Sequence, residues 1–109
     1  MRIYISGLIT NGGTMYPAVA AEYFKAMENA LQEAGHVPVN PMEIAPFNPD
    51  HQWEDYMIKD IAALFPCDAI VLLENWHLSK GARIEHAIAQ QMGIQIFYPY
   101  HHSHLLAKK

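Results

Sequence analysis

Two carboxylates in this sequence stand where a charge needs a reason. Asp60 falls within the angular sweep set by Trp53, Met57 and Leu64, so at helical spacing it shares their apolar stripe. Asp55, on the same segment, is expected to face water. Glu85 follows Gly81 by one turn and lies beside Met92. Helical side chains lean toward the N-terminus, so the Glu85 carboxylate is expected over a residue with no side chain, which leaves room for a ligand. Paired carboxylates suit glycosidic bond cleavage, in which one protonates the leaving group while the other attacks. Plainer readings stand beside these: a buried Asp bonded to nearby backbone or a Tyr hydroxyl, and an ordinary, partly exposed helix Glu.

The other chemical signals are weaker. Ser79, Lys80 and Gly81 open the helix that carries Glu85, and free N–H groups with the helix dipole there favour an anion. The run Gly7 to Thr14 (GLITNGGT) matches a phosphate loop except that Gly13 stands where the lysine must be, which argues against a triphosphate. No G-x-G-x-x-G follows the first strand, so a dinucleotide cofactor is not expected. His101, His102 and His104 have no acidic or Cys partner close in sequence; a disordered or interface segment is expected there, without a metal. Cys67 reads as core, and Trp76 either as a stacking surface for a base or as an aromatic covering the sheet edge.

These residues need elements to hold them. Arg2 to Ser6 reads as a strand, and Gly7 to Tyr16 as a loop. Pro17 starts a helix carrying Ala20, Tyr23, Phe24, Met27, Leu31 and Ala34, which Gly35 ends. His36 to Val39 is a second strand, followed by a long loop with Pro41, Pro46 and Pro49. Asp50 is expected to cap the helix of Trp53 to Leu64, stopped at Pro66. Ala69 to Leu73 reads as a strand buried on both faces. Ser79 caps a third helix with Ile84, Ala87, Ile88 and Met92 inward, ended by Gly93 before a strand at Ile94 to Tyr98. The βαβαβαβ pattern predicts an α/β, doubly wound parallel sheet of flavodoxin or Rossmann-like type, in strand order 2-1-3-4. The loops leaving strands one and three then flank a crevice, and the helices of Asp60 and Glu85 share one face of the sheet.

Composition narrows the partners. The 109 residues, 51% of them hydrophobic, fit one packed domain. A net charge of −4 with no basic run argues against a nucleic acid polymer, so any nucleotide is expected to be a monomer. One cysteine, no leader-like start and no long apolar run predict a cytoplasmic protein without a membrane span.

The stretch from Trp53 to Ala87 (WEDYMIKDIAALFPCDAIVLLENWHLSKGARIEHA), with YISG at Tyr4 to Gly7, resembles the nucleoside 2-deoxyribosyltransferase-like superfamily. Within it the resemblance is to the small proteins known as domain of unknown function 4406. The superfamily also holds 2′-deoxynucleoside 5′-monophosphate N-glycosidases. The resemblance implies Glu85 as nucleophile, Asp60 as acid or base, Tyr4 as the residue that positions the nucleophile and Gly7 as a close-approach glycine. It also implies Ser79 at a position that is Ser in the monophosphate hydrolases. Ser6, Gly7, Ser79, Lys80, Gly81 and Trp76 are the expected substrate contacts, and Asp68 is expected to be structural. Leu8 and the pair Glu74 and Asn75 depart from the common pattern. The expected activity is cleavage or transfer at the N-glycosidic bond of a 2′-deoxynucleoside or its monophosphate, without a cofactor. A non-catalytic nucleotide-binding module using the same crevice is the alternative. The family relation further implies a homodimer or higher homo-oligomer, with the tail from Tyr98, including Tyr100 and His101, at the subunit interface.

Overall fold

The protein is described by a computed structural model covering residues 1–9, 18–46, 48 and 50–107. Most of the expected Gly7 to Tyr16 loop, the helix start at Pro17 and the loop residue Pro49 lie outside them. The strands are β1 (Arg2–Ser6), β2 (Val37–Val39), β3 (Ala69–Leu72) and β4 (Gln95–Phe97). They form one parallel sheet in the order β2-β1-β3-β4. The helices are α1 (Ala18–Glu33), α2 (Pro41–Ile44), α3 (Trp53–Leu64), α4 (Lys80–Met92) and α5 (His102–Leu105), with 3₁₀ turns at Trp76–Leu78 and Pro99–His101. No helix among the described residues is long and apolar enough to cross a membrane.

β1 is central, paired with β2 on one side and β3 on the other. Its period of two divides the molecule. Ile3 and Ile5 face one way, into a layer of Phe24, Met27, Leu31, Val71 and Leu105. Tyr4 faces the other, toward Leu64, Cys67, Ile70, Leu72 and Ala89. The first layer is hydrocarbon. The second lies under Tyr4, Asp60 and Glu85.

Local chemistry sets the element ends. Gly35 adopts φ +88° just beyond α1, and Gly93 adopts φ +74° at the end of α4, where a side chain would be strained. The long proline-punctuated loop is partly folded: Asn40 Oδ1 accepts the Met42 N–H at 3.0 Å and caps the short α2. Asp50 does not cap α3, as the sequence had suggested. Gln52 precedes the helix and donates its N–H to Asp55 Oδ2 at 2.8 Å, a contact that an acidic side chain three positions on makes readily.

Two further expectations change. The fully buried face of α4 is Ala82, Glu85 and Ala89; of the residues expected inward, Ile88 and Met92 are half-buried and pack against the Tyr4 layer, Ile84 is half-buried and Ala87 is exposed. The disorder expected of the tail gives way to a 3₁₀ turn and the short α5 over residues 99–105. Leu105 is buried in the α1 layer, and His102 Nε2 donates to the Leu72 carbonyl at 2.7 Å. The apolar surface of Leu105 and Leu106 draws the tail back onto its own sheet.

Candidate active site

Tyr4 and Ser6 stand two residues apart on β1, so their hydroxyls emerge on the same face of the sheet. Glu85 reaches that face from the second turn of α4. The Tyr4 hydroxyl donates to Glu85 Oε2 at 2.6 Å, and Ser6 Oγ donates to Oε1 at 2.8 Å. All three side chains are buried. Each oxygen of the carboxylate is thus bound by one hydroxyl, and the hydroxyls come from a strand that is buried from Ile3 to Ser6.

Asp60 projects from α3 into the same cleft. Its carboxyl is 6% exposed, and Oδ1 meets no hydrogen-bond partner among the described residues. The plainer reading, a buried Asp satisfied by backbone or tyrosine, is therefore not what Oδ1 displays. An unpaired buried carboxylate is costly, so burial pushes this carboxyl up to about 8, and the charge of Glu85 adds to the rise. Burial also lifts Glu85, to about 7, while the bonds from Tyr4 and Ser6 oppose that rise. Two donor hydroxyls favour the ionised form of Glu85 and none among the described residues reaches Asp60 Oδ1, so a proton shared by the pair belongs on Asp60. The Tyr4 phenol, raised well above its usual value by burial and then by the Glu85 charge, stays protonated as a donor.

The cleft is lined by Gly7, Trp53, Tyr56, Met57, Ser79 and Gly81 along with the two carboxyls. Its enclosed part measures about 40 Å³ and opens to solvent. That space takes the reacting end of a molecule, and the remainder has to extend through the mouth. Gly7 is needed for close approach, since a Cβ there would lie 2.8 Å from Leu73 Cδ1. Leu8 N–H donates to Asn75 Oδ1 at 3.2 Å, tying the loop after β1 to the loop after β3. Ser79 Oγ accepts the Ala82 N–H at 3.1 Å and caps α4.

The other expected contacts distribute unevenly. The room expected above Gly81 is largely taken by Met57, whose Sδ would lie 3.0 Å from an added Cβ. The exposed Lys80 sets its Nζ 4.3 Å from the centre of the Trp53 ring at the cleft mouth. Trp76 does not line the cleft; it packs against His86 at 4.7 Å between ring centres and against Tyr98 at 6.2 Å, covering the sheet edge. Among the aromatic residues that do line the cleft, beside Phe24 and Tyr56, is Trp53. It stands seven residues before Asp60, hence on the same stripe, and that periodicity is the signal that marks it. Asp68 accepts the Arg2 N–H at 2.9 Å, which joins the starts of β1 and β3. Cys67 is buried, and burial pushes its thiol up to about 11, far from a reactive thiolate. Among the described residues no three His, Cys, Asp or Glu side chains gather as a metal site.

Residues 1–98 match the sequence profile of a family described as Domain of unknown function (DUF4406). The fold is similar to that of a solved 2-deoxyribosyltransferase from the psychrotolerant bacterium Bacillus psychrosaccharolyticus, with a TM-score of 0.64. The likeness covers 91% of this chain and 73% of that one at 18% sequence identity, so it is a likeness of fold. No curated protein matches the sequence.

Proposed function

This chain belongs to the DUF4406 family, and from that premise and its acidic cleft we propose that it acts on the N-glycosidic bond of a 2′-deoxynucleoside or its 5′-monophosphate. One observation carries the reading: a carboxylate held by two hydroxyls shares a cleft with a second, buried carboxyl whose Oδ1 has no partner among the described residues. That is a nucleophile and acid pair set apart by environment. The fold, similar to that of a 2-deoxyribosyltransferase, agrees with it.

In the first step a Glu85 oxygen bonds to the anomeric carbon as the bond from that carbon to the base nitrogen breaks. The electron pair leaves with the base, and the Asp60 proton neutralises it. In the second step water attacks the glycosyl ester, Asp60 takes the water proton, and Glu85 is released as carboxylate beside a free sugar. A second base in place of water makes the reaction a transfer. The Ser79 hydroxyl, Gly81 and Lys80 at the start of α4 would meet a 5′-phosphate.

The reading includes a homodimer or higher homo-oligomer. Its support is an apolar surface bordered by Phe65, just past the end of α3, and by Ile84, Ala87 and Ile88 on α4, and sedimentation of the purified protein measures it.

Incubation with a panel of deoxynucleosides and their monophosphates, with free base followed by chromatography, tests the activity. Glu85→Ala abolishes base release while the circular dichroism spectrum stays unchanged; retained release removes Glu85 from the mechanism. A nucleotide that raises Tm with no product over long incubation indicates a binding module instead.

A further inference from the structure

We infer that Ser6 is a positioning residue for Glu85, holding the carboxylate oxygen that Tyr4 leaves unclaimed and so fixing the carboxylate plane toward the cleft. The inference rests on the reading of Glu85 as the nucleophile. Ser6 was expected from sequence to touch substrate, yet its side chain is fully buried beneath Glu85 and does not line the cleft.

Packing alone does not account for a serine here. Ser6 ends the central strand, opposite Leu72 in register, in a layer of Tyr4, Leu64, Ile70 and Leu72. Alanine would occupy nearly the same volume at such a position without burying a hydroxyl. The hydroxyl instead donates to Glu85 Oε1, 79 positions away in sequence, at 2.8 Å. With Tyr4 on Oε2, the carboxylate is held at two points, which opposes rotation about its last bond. Each oxygen keeps a lone pair for other contacts. One-point attachment through Tyr4 alone would leave that rotation free and take away a donor that favours the ionised form.

Among the described residues, the ionisable groups that face Glu85 are Tyr4 from β1 and Asp60 from α3. β3 presents Ile70 and Leu72 on that side, and His86, the next residue on α4, is bonded to Tyr98 at 2.9 Å. Removal of the Ser6 hydroxyl therefore changes the Glu85 environment without deleting another charge.

The test is a Ser6→Ala variant with Ser6→Thr as the variant that keeps the hydroxyl. Ser6→Ala is expected to lower kcat for base release by about tenfold or more with KM changed by less than about threefold. It is also expected to move the acid limb of the kcat profile upward by about one pH unit, because Glu85 attacks only when ionised. Carbon-13 NMR titration of the Glu85 carboxyl without substrate, assigned with Glu85→Gln, reads the same shift directly. Ser6→Thr titrates like the native protein. A Ser6→Ala titration that superimposes on the native one overturns the inference, as does a Ser6→Thr variant shifted as far as Ser6→Ala. Should the native protein release no base at all, the proposed activity fails, and the NMR titration still decides the role of Ser6.

Discussion

The Tyr4 hydroxyl lies 2.6 Å from Glu85 Oε2, although the two residues are 81 positions apart in sequence. Tyr4→Phe keeps the ring that fills the layer between the sheet and α4 and deletes only this bond. A hydrogen bond to a charged, buried partner contributes about 1.5–3 kcal/mol. Base release is expected to fall about 10- to 100-fold, and Tm to fall by on the order of 5–20 °C. Single-turnover assays beside thermal melts measure both, and an unchanged rate would show that the bond does not act on the nucleophile.

Asp60 makes stability depend on pH in a defined direction. Its folded pKa, raised by burial and then by Glu85 to about 8, lies above the value of about 4 expected in the unfolded chain. Between those values the folded protein retains a proton that the unfolded one has released, so stability is greatest below pH ~4 on this account and falls as pH rises toward 8. Glu85, raised by burial to about 7, adds to the same fall over the lower part of the window. Asp60→Asn removes the Asp60 share and is expected to exceed the native protein in stability by about 1–3 kcal/mol at pH 8. Urea denaturation at pH 5, 6.5 and 8 checks it; parallel slopes for the two proteins would place the retained proton elsewhere.

The two cleft glycines are expected to respond differently to alanine. At Gly7 a new Cβ would lie 2.8 Å from Leu73 Cδ1 and 2.9 Å from Leu73 Cβ, an atom fixed close to the backbone. Overpacking of that kind costs about 1–3 kcal/mol. At Gly81 the nearest atom is the Met57 sulfur, part of a flexible side chain, at 3.0 Å, and alanine also favours the helix by about 1 kcal/mol. Gly7→Ala should therefore melt well below Gly81→Ala. Equal melting temperatures would mean that Leu73 yields as easily as Met57.

Leu105→Ala tests whether the tail belongs to the core. Leu105 is 6% exposed and packs with Ile3, Ile5 and Phe97. Its truncation is expected to cost about 2–4 kcal/mol in chemical denaturation. A loss within experimental error would return the tail to the status of an appendage.

The strand order, the two carboxylates and the convergence of their helices were legible in the sequence because each rests on a strong period. Alternation along β1, the apolar run of β3 and the stripe of Trp53, Met57, Asp60 and Leu64 point to one arrangement. What was not legible depends on distances that periodicity does not carry. The Met57 sulfur above Gly81 reflects how closely α3 meets α4. Trp76 turns to His86 and Tyr98 because the 3₁₀ turn at Trp76–Leu78 directs it along the sheet edge. The tail escaped because four residues of helix give too short a pattern to separate a docked segment from a loose one. The bond from the Ser6 hydroxyl to Glu85 was open to the alternation along β1, which puts Ser6 on the face of Tyr4.

The apolar layer of Ile3, Ile5, Met27, Leu31 and Val71 lies behind the sheet from Tyr4, Ser6, Asp60 and Glu85 and lines no part of the cleft. Substitutions that tighten that rear layer can raise thermal tolerance while the chemical side keeps its own shape. Directed improvement of robustness and alteration of reactivity can therefore proceed on opposite sides of one four-stranded partition.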